Sequence, residues 1–359
     1  MSLGPGGMID DRIMRLLVIG GSVFLGRDFV TQALRRGDRV TTFNRGRSGT
    51  DVPGAEVIRG DREDEDDLRR LVEGRRWDAV IDTCGYVPRV VGRSARALSG
   101  HADAYLFVSS VHAYADWPER RVDEDSALLP CPPDAGPDAD VPYNALKAGC
   151  ERAVESGFDG RVLILNPGLI VGPREQVPRL TWWLTRVAAG GPVLAPGDPG
   201  RAMQLIDARD IAAFGLARLT DGAAGRFLLS GVPGNTTFGA LLDECVRVTG
   251  SEAVPTWVDD DFLLAQKVDE WTELPMWTAD GSASAGVWLP SSEKALRAGL
   301  RCRPVAETVR DTWSWILEEK ITRDRAAEGG QGIAPEKERG ILAAWAATGA
   351  DPDEHPRTR

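Results

Sequence analysis

Tyr143 and Lys147 stand four residues apart in Y-N-A-L-K, so on a helix they share one face and can address the same ligand. An ammonium beside a phenol favours the phenolate and lowers its pKa from about 10, which lets tyrosine exchange a proton with an alcohol or ketone near neutral pH. Ser110, just past the apolar run 104–108, offers a hydroxyl to hold the substrate oxygen, and Ser109 stands beside it. His112 reads equally well as a proton carrier with an ordinary pKa of about 6.5 or as a local hydrogen-bonding residue. Y-x-x-x-K alone is common by chance, so the preceding elements decide what the pair does.

Those elements begin with L-L-V-I-G-G-S-V-F-L-G at 16–26. Four apolar residues fit a strand buried on both faces. Gly20 and Gly21 let the chain turn sharply into a helix starting near Ser22, and Gly26 lets that helix approach the strand. A helix N-terminus offers amide donors and a positive dipole end, so a dinucleotide pyrophosphate can sit there without a cationic side chain. The usual three-glycine fingerprint is incomplete, because Val23 occupies the middle position.

The helix stops at Gly37, and a second strand over 39–43 ends in Asn44-Arg45-Gly46-Arg47, where such folds read the adenosine ribose. An acidic residue there suits NAD, whereas arginines pair with a 2'-phosphate, so NADP is favoured over NAD. Further strands over 56–59, 79–82 and 104–108 alternate with helices, which predicts parallel strands and a ligand crevice along their carboxyl ends. Asp61 and the loop Thr83-Cys84-Gly85-Tyr86 emerge at that edge. In this setting Tyr143 and Lys147 read as chemistry, and Lys147 can also hydrogen-bond a nicotinamide ribose.

Residues 116–142, with prolines at 118, 130, 132, 133, 137 and 142, read as a surface loop near the site. Helices are expected over 180–189, 236–249 (capped by Thr236 or Thr237) and 335–347, a turn-rich loop over 190–200, and a strand over 225–230. The tryptophans 257, 271, 277, 288, 313 and 315 read as the core of a small lobe, and Arg179, Arg201 and Arg209 as candidates for a substrate phosphate.

The 359-residue chain is 42% apolar with a net charge of -11, a balance that disfavours nucleic acid as a partner. No apolar run reaches a membrane span, and 1–11 lacks the marks of a signal peptide, so a cytoplasmic protein is expected. Five scattered cysteines and three histidines give neither a disulfide framework nor a metal site.

Gly turn, strand-end serine and Tyr-x-x-x-Lys, in this order, resemble the extended short-chain dehydrogenase/reductases, also called NAD-dependent epimerase/dehydratases, over roughly 14–315. G-G-S-V-F-L-G, F-N-R-G and V-I-R-G-D-R look like an atypical branch in which the middle glycine is often replaced. The resemblance implies Tyr143 as acid/base, Lys147 as its partner and Ser110 as the catalytic serine. It implies a cofactor site of Gly20, Gly21, Ser22, Phe24, Leu25, Gly26, Asn44, Arg45, Arg47, Asp61, Thr83, Cys84, Gly85, Ser109, Pro167 and Gly168, shared with Tyr143 and Lys147. The Asp-Glu pair that dehydratases of this family carry is here Val111-His112, which weakens a dehydratase reading.

The expected fold is α/β: a Rossmann-type doubly wound parallel sheet with a smaller discontinuous α/β substrate-binding lobe. The expected division is a flexible segment 1–12, a dinucleotide-binding domain 13–178 plus 201–231, a substrate lobe 179–200 plus 232–320, and a charged tail 321–359 with one helix and a disordered end. The expected activity is hydride transfer between nicotinamide C4 and a secondary alcohol or ketone of a nucleotide-sugar or similar polyol. An NADPH-dependent ketoreductase and a non-catalytic dinucleotide- or RNA-binding relative are the alternatives, and a homodimer is what the resemblance implies.

Overall fold

Alternating apolar runs and amphipathic stretches produce a regular strand–helix succession in the computed structural model, which describes residues 13–284, 286–327 and 330–349. The expected flexible segment 1–12 and disordered end 351–359 lie outside these residues. The succession runs β1 (Arg15–Ile19), α1 (Phe24–Arg35), β2 (Arg39–Asn44), β3 (Glu56–Arg59), α2 (Glu65–Val72), β4 (Trp77–Asp82), α3 (Pro88–Leu98), β5 (Ala102–Val108), α4 (Tyr143–Gly157) and β6 (Arg161–Pro167). It continues with β7 (Leu169–Val171), α5 (Arg179–Ala188), β8 (Gly191–Pro196), β9 (Ala202–Met203), β10 (Leu205–Asp207), α6 (Ala208–Thr220), β11 (Gly225–Leu229), β12 (Thr236–Thr237), α7 (Phe238–Thr249) and β13 (Ala253–Val258). Helices α8 (Asp260–Ala265), α9 (Glu293–Arg297), α10 (Val305–Glu319), α11 (Arg323–Ala327) and α12 (Pro335–Ala347) complete it.

Seven strands form one sheet in the order β11-β6-β5-β4-β1-β2-β3. The pairs from β3 through to β6 are parallel, with Leu16 opposite both Val40 and Ala79. The order reverses between β1 and β4, which places a topological switch point beside the glycine turn. Because helices cover a parallel sheet on both faces, the central strands are apolar throughout: Leu16, Leu17 and Val18 are fully buried.

The chain divides into two units: residues up to 113 with 129–166 and 212–227, and residues 114–128 with 167–211 and from 228 onward. The expected boundaries kept 167–178 and 201–211 with the dinucleotide-binding part. They group with the second unit because β7 pairs with β10. The expected loop over 190–200 is corrected: Gly190 and Gly191 turn with positive φ, and β8 then pairs in parallel with β13, burying Val193, Leu194 and Ala195.

The expected tail contributes a packed helix, α12, to the second unit. Ile341 is buried and Trp345 packs edge-on against Phe262, while Glu338 ends on the guanidinium of Arg186 at 2.8 Å. Trp182, Trp183 and Trp277 are buried in this unit, and Trp257, Trp271, Trp288, Trp313 and Trp315 pack against its core. Thr237, not Thr236, caps α7. No helix among the described residues is long and apolar enough to cross a membrane.

Candidate active site

The glycine turn holds the geometry its composition requires. Gly20 and Gly21 take φ of +99° and +86°. A Cβ on Gly26 would lie 2.7 Å from Thr83 Oγ1 and 3.0 Å from the Gly21 amide nitrogen. Val23 has φ -132° and ψ 146°, extended backbone open to any residue, so the missing third glycine does not strain that position. The helix begins at Phe24, which carries the positive φ instead, rather than near Ser22. No side chain caps α1 and no acidic residue occupies its first turn. A close-packed glycine cradle facing an uncapped helix start fits a pyrophosphate. Gly26→Ala is expected to cost about 1–3 kcal/mol through overpacking and to weaken dinucleotide binding, as thermal melts with and without NADPH would show.

The ribose turn is tied to this cradle. Ser22 Oγ donates to Ser48 O at 2.5 Å, Arg27 donates to Thr50 O at 2.7 Å, and Asn44 Nδ2 donates to Gly20 O at 3.5 Å. Arg45 lies 3.6 Å from the carboxylate of Asp61, and Arg47 is exposed. Arg59 is clamped by Asp51 and Asn44. Asp61 also accepts the Glu63 amide, so its carboxylate is shared between the α2 approach and Arg45.

Past β4, Thr83 Oγ1 and Cys84 Sγ turn inward to Ile19 O at 3.3 and 3.5 Å. Burial pushes the Cys84 thiol up to about 11, so it is no nucleophile at neutral pH. The sequence reading passed over what holds this loop. Asp82, fully buried at the strand end, accepts two bonds from Arg62 (2.9 and 2.7 Å), the Tyr105 hydroxyl (2.7 Å) and the Cys84 amide (3.2 Å). Burial opposes its ionisation, but these donors outweigh burial and keep the carboxyl below its ordinary range.

Lys147, 3% exposed, donates to Gly85 O at 2.9 Å and Val108 O at 3.0 Å, and so is pinned between the ends of β4 and β5. Burial lowers its pKa, while Cys150, Asp82, Glu151 and Cys84 pull the other way. Tyr143 opens α4 half-exposed. Its ring lies 6.0 Å from that of His112, edge-on, and 6.5 Å from that of Tyr86, a neighbour the sequence reading left out of the site. The His112 amide donates to Ser110 Oγ at 3.2 Å. Ser110, His112, Tyr143 and Lys147 therefore converge at the carboxyl edge of the sheet.

Other expected site residues are placed differently. Ser109, expected to face the cofactor, is buried and gives its hydroxyl to Glu151. Pro167 ends β6 and Gly168 donates to Leu229 O, both within the second unit. Arg201 is paired with Asp260, and Arg209 with Asp207 and Asp311, so neither guanidinium is left over for a phosphate. Among the described residues no group of three His, Cys, Asp or Glu is placed to hold a metal ion.

Strand order and glycine turn define a Rossmann-type doubly wound α/β fold. Residues 16–99 match the profile of the NAD dependent epimerase/dehydratase family. The chain is 27% identical over 255 residues to the chloroplast stem-loop binding protein of 41 kDa b of Arabidopsis thaliana, covering 66% of this chain and 63% of that protein. It is 28% identical over 212 residues to the 2'-dehydrokanamycin reductase of Streptomyces kanamyceticus, covering 57% of each. It thus spans less than two thirds of either relative. The fold matches the Bordetella bronchiseptica enzyme WbmH in complex with NAD+, with a TM-score of 0.67 and 16% identity, covering 86% of this chain and all of that one.

Proposed function

We propose that this chain is an NAD(P)-dependent oxidoreductase or epimerase of the extended short-chain type, acting on a secondary alcohol or ketone of a nucleotide-sugar or similar polyol. The convergence of Tyr143 with Ser110, His112 and the pinned Lys147 carries the reading. The residues Gly20–Gly26, the turn at Asn44–Arg47, Asp61 and the loop 83–85 would hold the dinucleotide, which when bound supplies or takes up a hydride at its nicotinamide. Tyr143 removes or returns the hydroxyl proton. Lys147, fixed by two carbonyls, holds a positive charge that favours the phenolate. Ser110 Oγ already accepts the His112 amide, so its own proton can be donated to the substrate oxygen. His112, exposed beside Tyr143, would pass the proton to solvent.

Arg45 and Arg47 favour NADP, and the reductase relative supports an NADPH-dependent ketoreductase as the second reading. Arg47→Glu is expected to lower the preference for NADPH over NADH by about tenfold or more, measured as the ratio of dissociation constants. Denaturing fresh protein and quantifying released dinucleotide by mass spectrometry tests the function. Near-stoichiometric cofactor supports an epimerase, which returns the hydride it removes. An empty protein that binds added NADPH supports the reductase. No binding of either dinucleotide overturns both.

A further inference from the structure

A second buried polar network near the site, centred on Glu151, is one the proposed reaction does not use. Glu151, one turn beyond Lys147 on α4, is fully buried. Its Oε1 accepts the Ser109 hydroxyl and Asn166 Nδ2 at 2.6 Å. Its Oε2 accepts Arg226 through Nε at 3.1 Å and Nη2 at 2.7 Å, and Arg226 also reaches Glu155 at 3.3 Å. The same Asn166 amide donates to Ser110 O at 3.2 Å. Three successive residues from the end of β5 are therefore gripped, two from α4 and one from β6: Val108 O by Lys147, the Ser109 hydroxyl by Glu151, and Ser110 O by the β6 residue Asn166 that Glu151 holds.

We propose that Glu151, neutralised by Arg226, is a positioning residue that fixes the Ser110 strand end against the turn of α4 carrying Lys147. The inference rests on the function proposed above, because it gives Ser110, Tyr143 and Lys147 their roles. The charged and titratable groups around it are Arg226 and Glu155, Lys147 with its neighbours Asp82, Cys84 and Cys150, and His112 and Tyr86 beside Tyr143. Removing the carboxylate has two consequences that a general loss of stability lacks. The strand end loses its anchor locally. A negative charge about 12 Å along the helix from Tyr143 disappears, which favours the phenolate.

The test uses the full chain in Glu151→Gln, Glu151→Asp and Arg226→Met. Amide hydrogen exchange should rise about tenfold in the Glu151→Gln peptide spanning 106–114 and stay unchanged over 15–35. The phenolate absorbance step of Tyr143 should move to lower pH by roughly half a unit to one unit. Glu151→Asp, which keeps the charge, should restore both. Arg226 is 20% exposed in its side chain, so Arg226→Met carries the exchange comparison should Glu151→Gln not fold, and it should slacken the same peptide. Exchange that rises uniformly or not at all, with the phenolate step unmoved, overturns the inference alone. A wild type with no tyrosine ionising below the ordinary range overturns the functional reading and this inference together.

Discussion

Asp82→Ala is expected to destabilise the chain by about 3–5 kcal/mol, the cost of leaving a buried charge without its partner. The stranded group is Arg62, whose side chain is 10% exposed and which keeps contacts to Ser94 Oγ at 3.1 Å and Cys84 Sγ at 3.8 Å. The Tyr105 hydroxyl, fully buried, loses its acceptor in the same step. Denaturant unfolding should show a lower midpoint with little change in slope. The same carboxylate makes stability depend on pH. Its folded pKa is lowered, so its contribution is present above the unfolded carboxyl's range and is lost as pH falls through the folded value. Asp82→Ala should therefore flatten the acid limb of the stability curve. A variant as stable as the wild type at neutral pH would show that Arg62 finds another partner.

Tyr143→Phe is expected to lower turnover by about 10²–10⁴-fold, the range for losing a positioned acid or base. It should leave NADPH affinity within about twofold, because dinucleotide binding is assigned mainly to the glycine cradle, the turn at Asn44–Arg47, Asp61 and the loop 83–85. Phenylalanine keeps the ring that meets His112 edge-on and Tyr86 at a tilt, so both ring contacts survive and only the hydroxyl is removed. Turnover of a carbonyl and nucleotide-sugar panel, followed as NADPH oxidation or as product formation, reads the change. Unchanged turnover would move the proton transfer to another group, with His112 the nearest candidate.

Much of the dinucleotide half was legible because its signals are local. A buried apolar run, two glycines and an amphipathic helix specify β1 and α1 within twenty residues, and Glu56–Arg59 and the start of α4 at Tyr143 fall where periodicity and proline punctuation put them. The Ser109 hydroxyl's partner was not legible because Glu151 is 42 residues away, and only the packing of α4 on β5 brings them together. No local pattern links Arg62 to Asp82, and only the crossover folds one onto the other. β8 was taken for a loop because glycines and prolines flank a short apolar core, and its strand character comes from β13, distant in sequence. The charged composition of 335–347 likewise concealed Ile341, Trp345 and the buried Glu338.

The central claim is that Tyr143 is an activated acid–base group, and ultraviolet difference titration of its phenolate in the presence of NADP+ tests it without knowledge of the substrate. The chain has four tyrosines. Burial pushes Tyr105 and Tyr86 above the ordinary range, and Tyr114 is fully buried, so an early step is assignable. The account predicts one tyrosine ionising between about pH 6 and 8, absent in Tyr143→Phe and shifted to higher pH in Lys147→Met. Four tyrosines that all ionise at or above about pH 10 would contradict it.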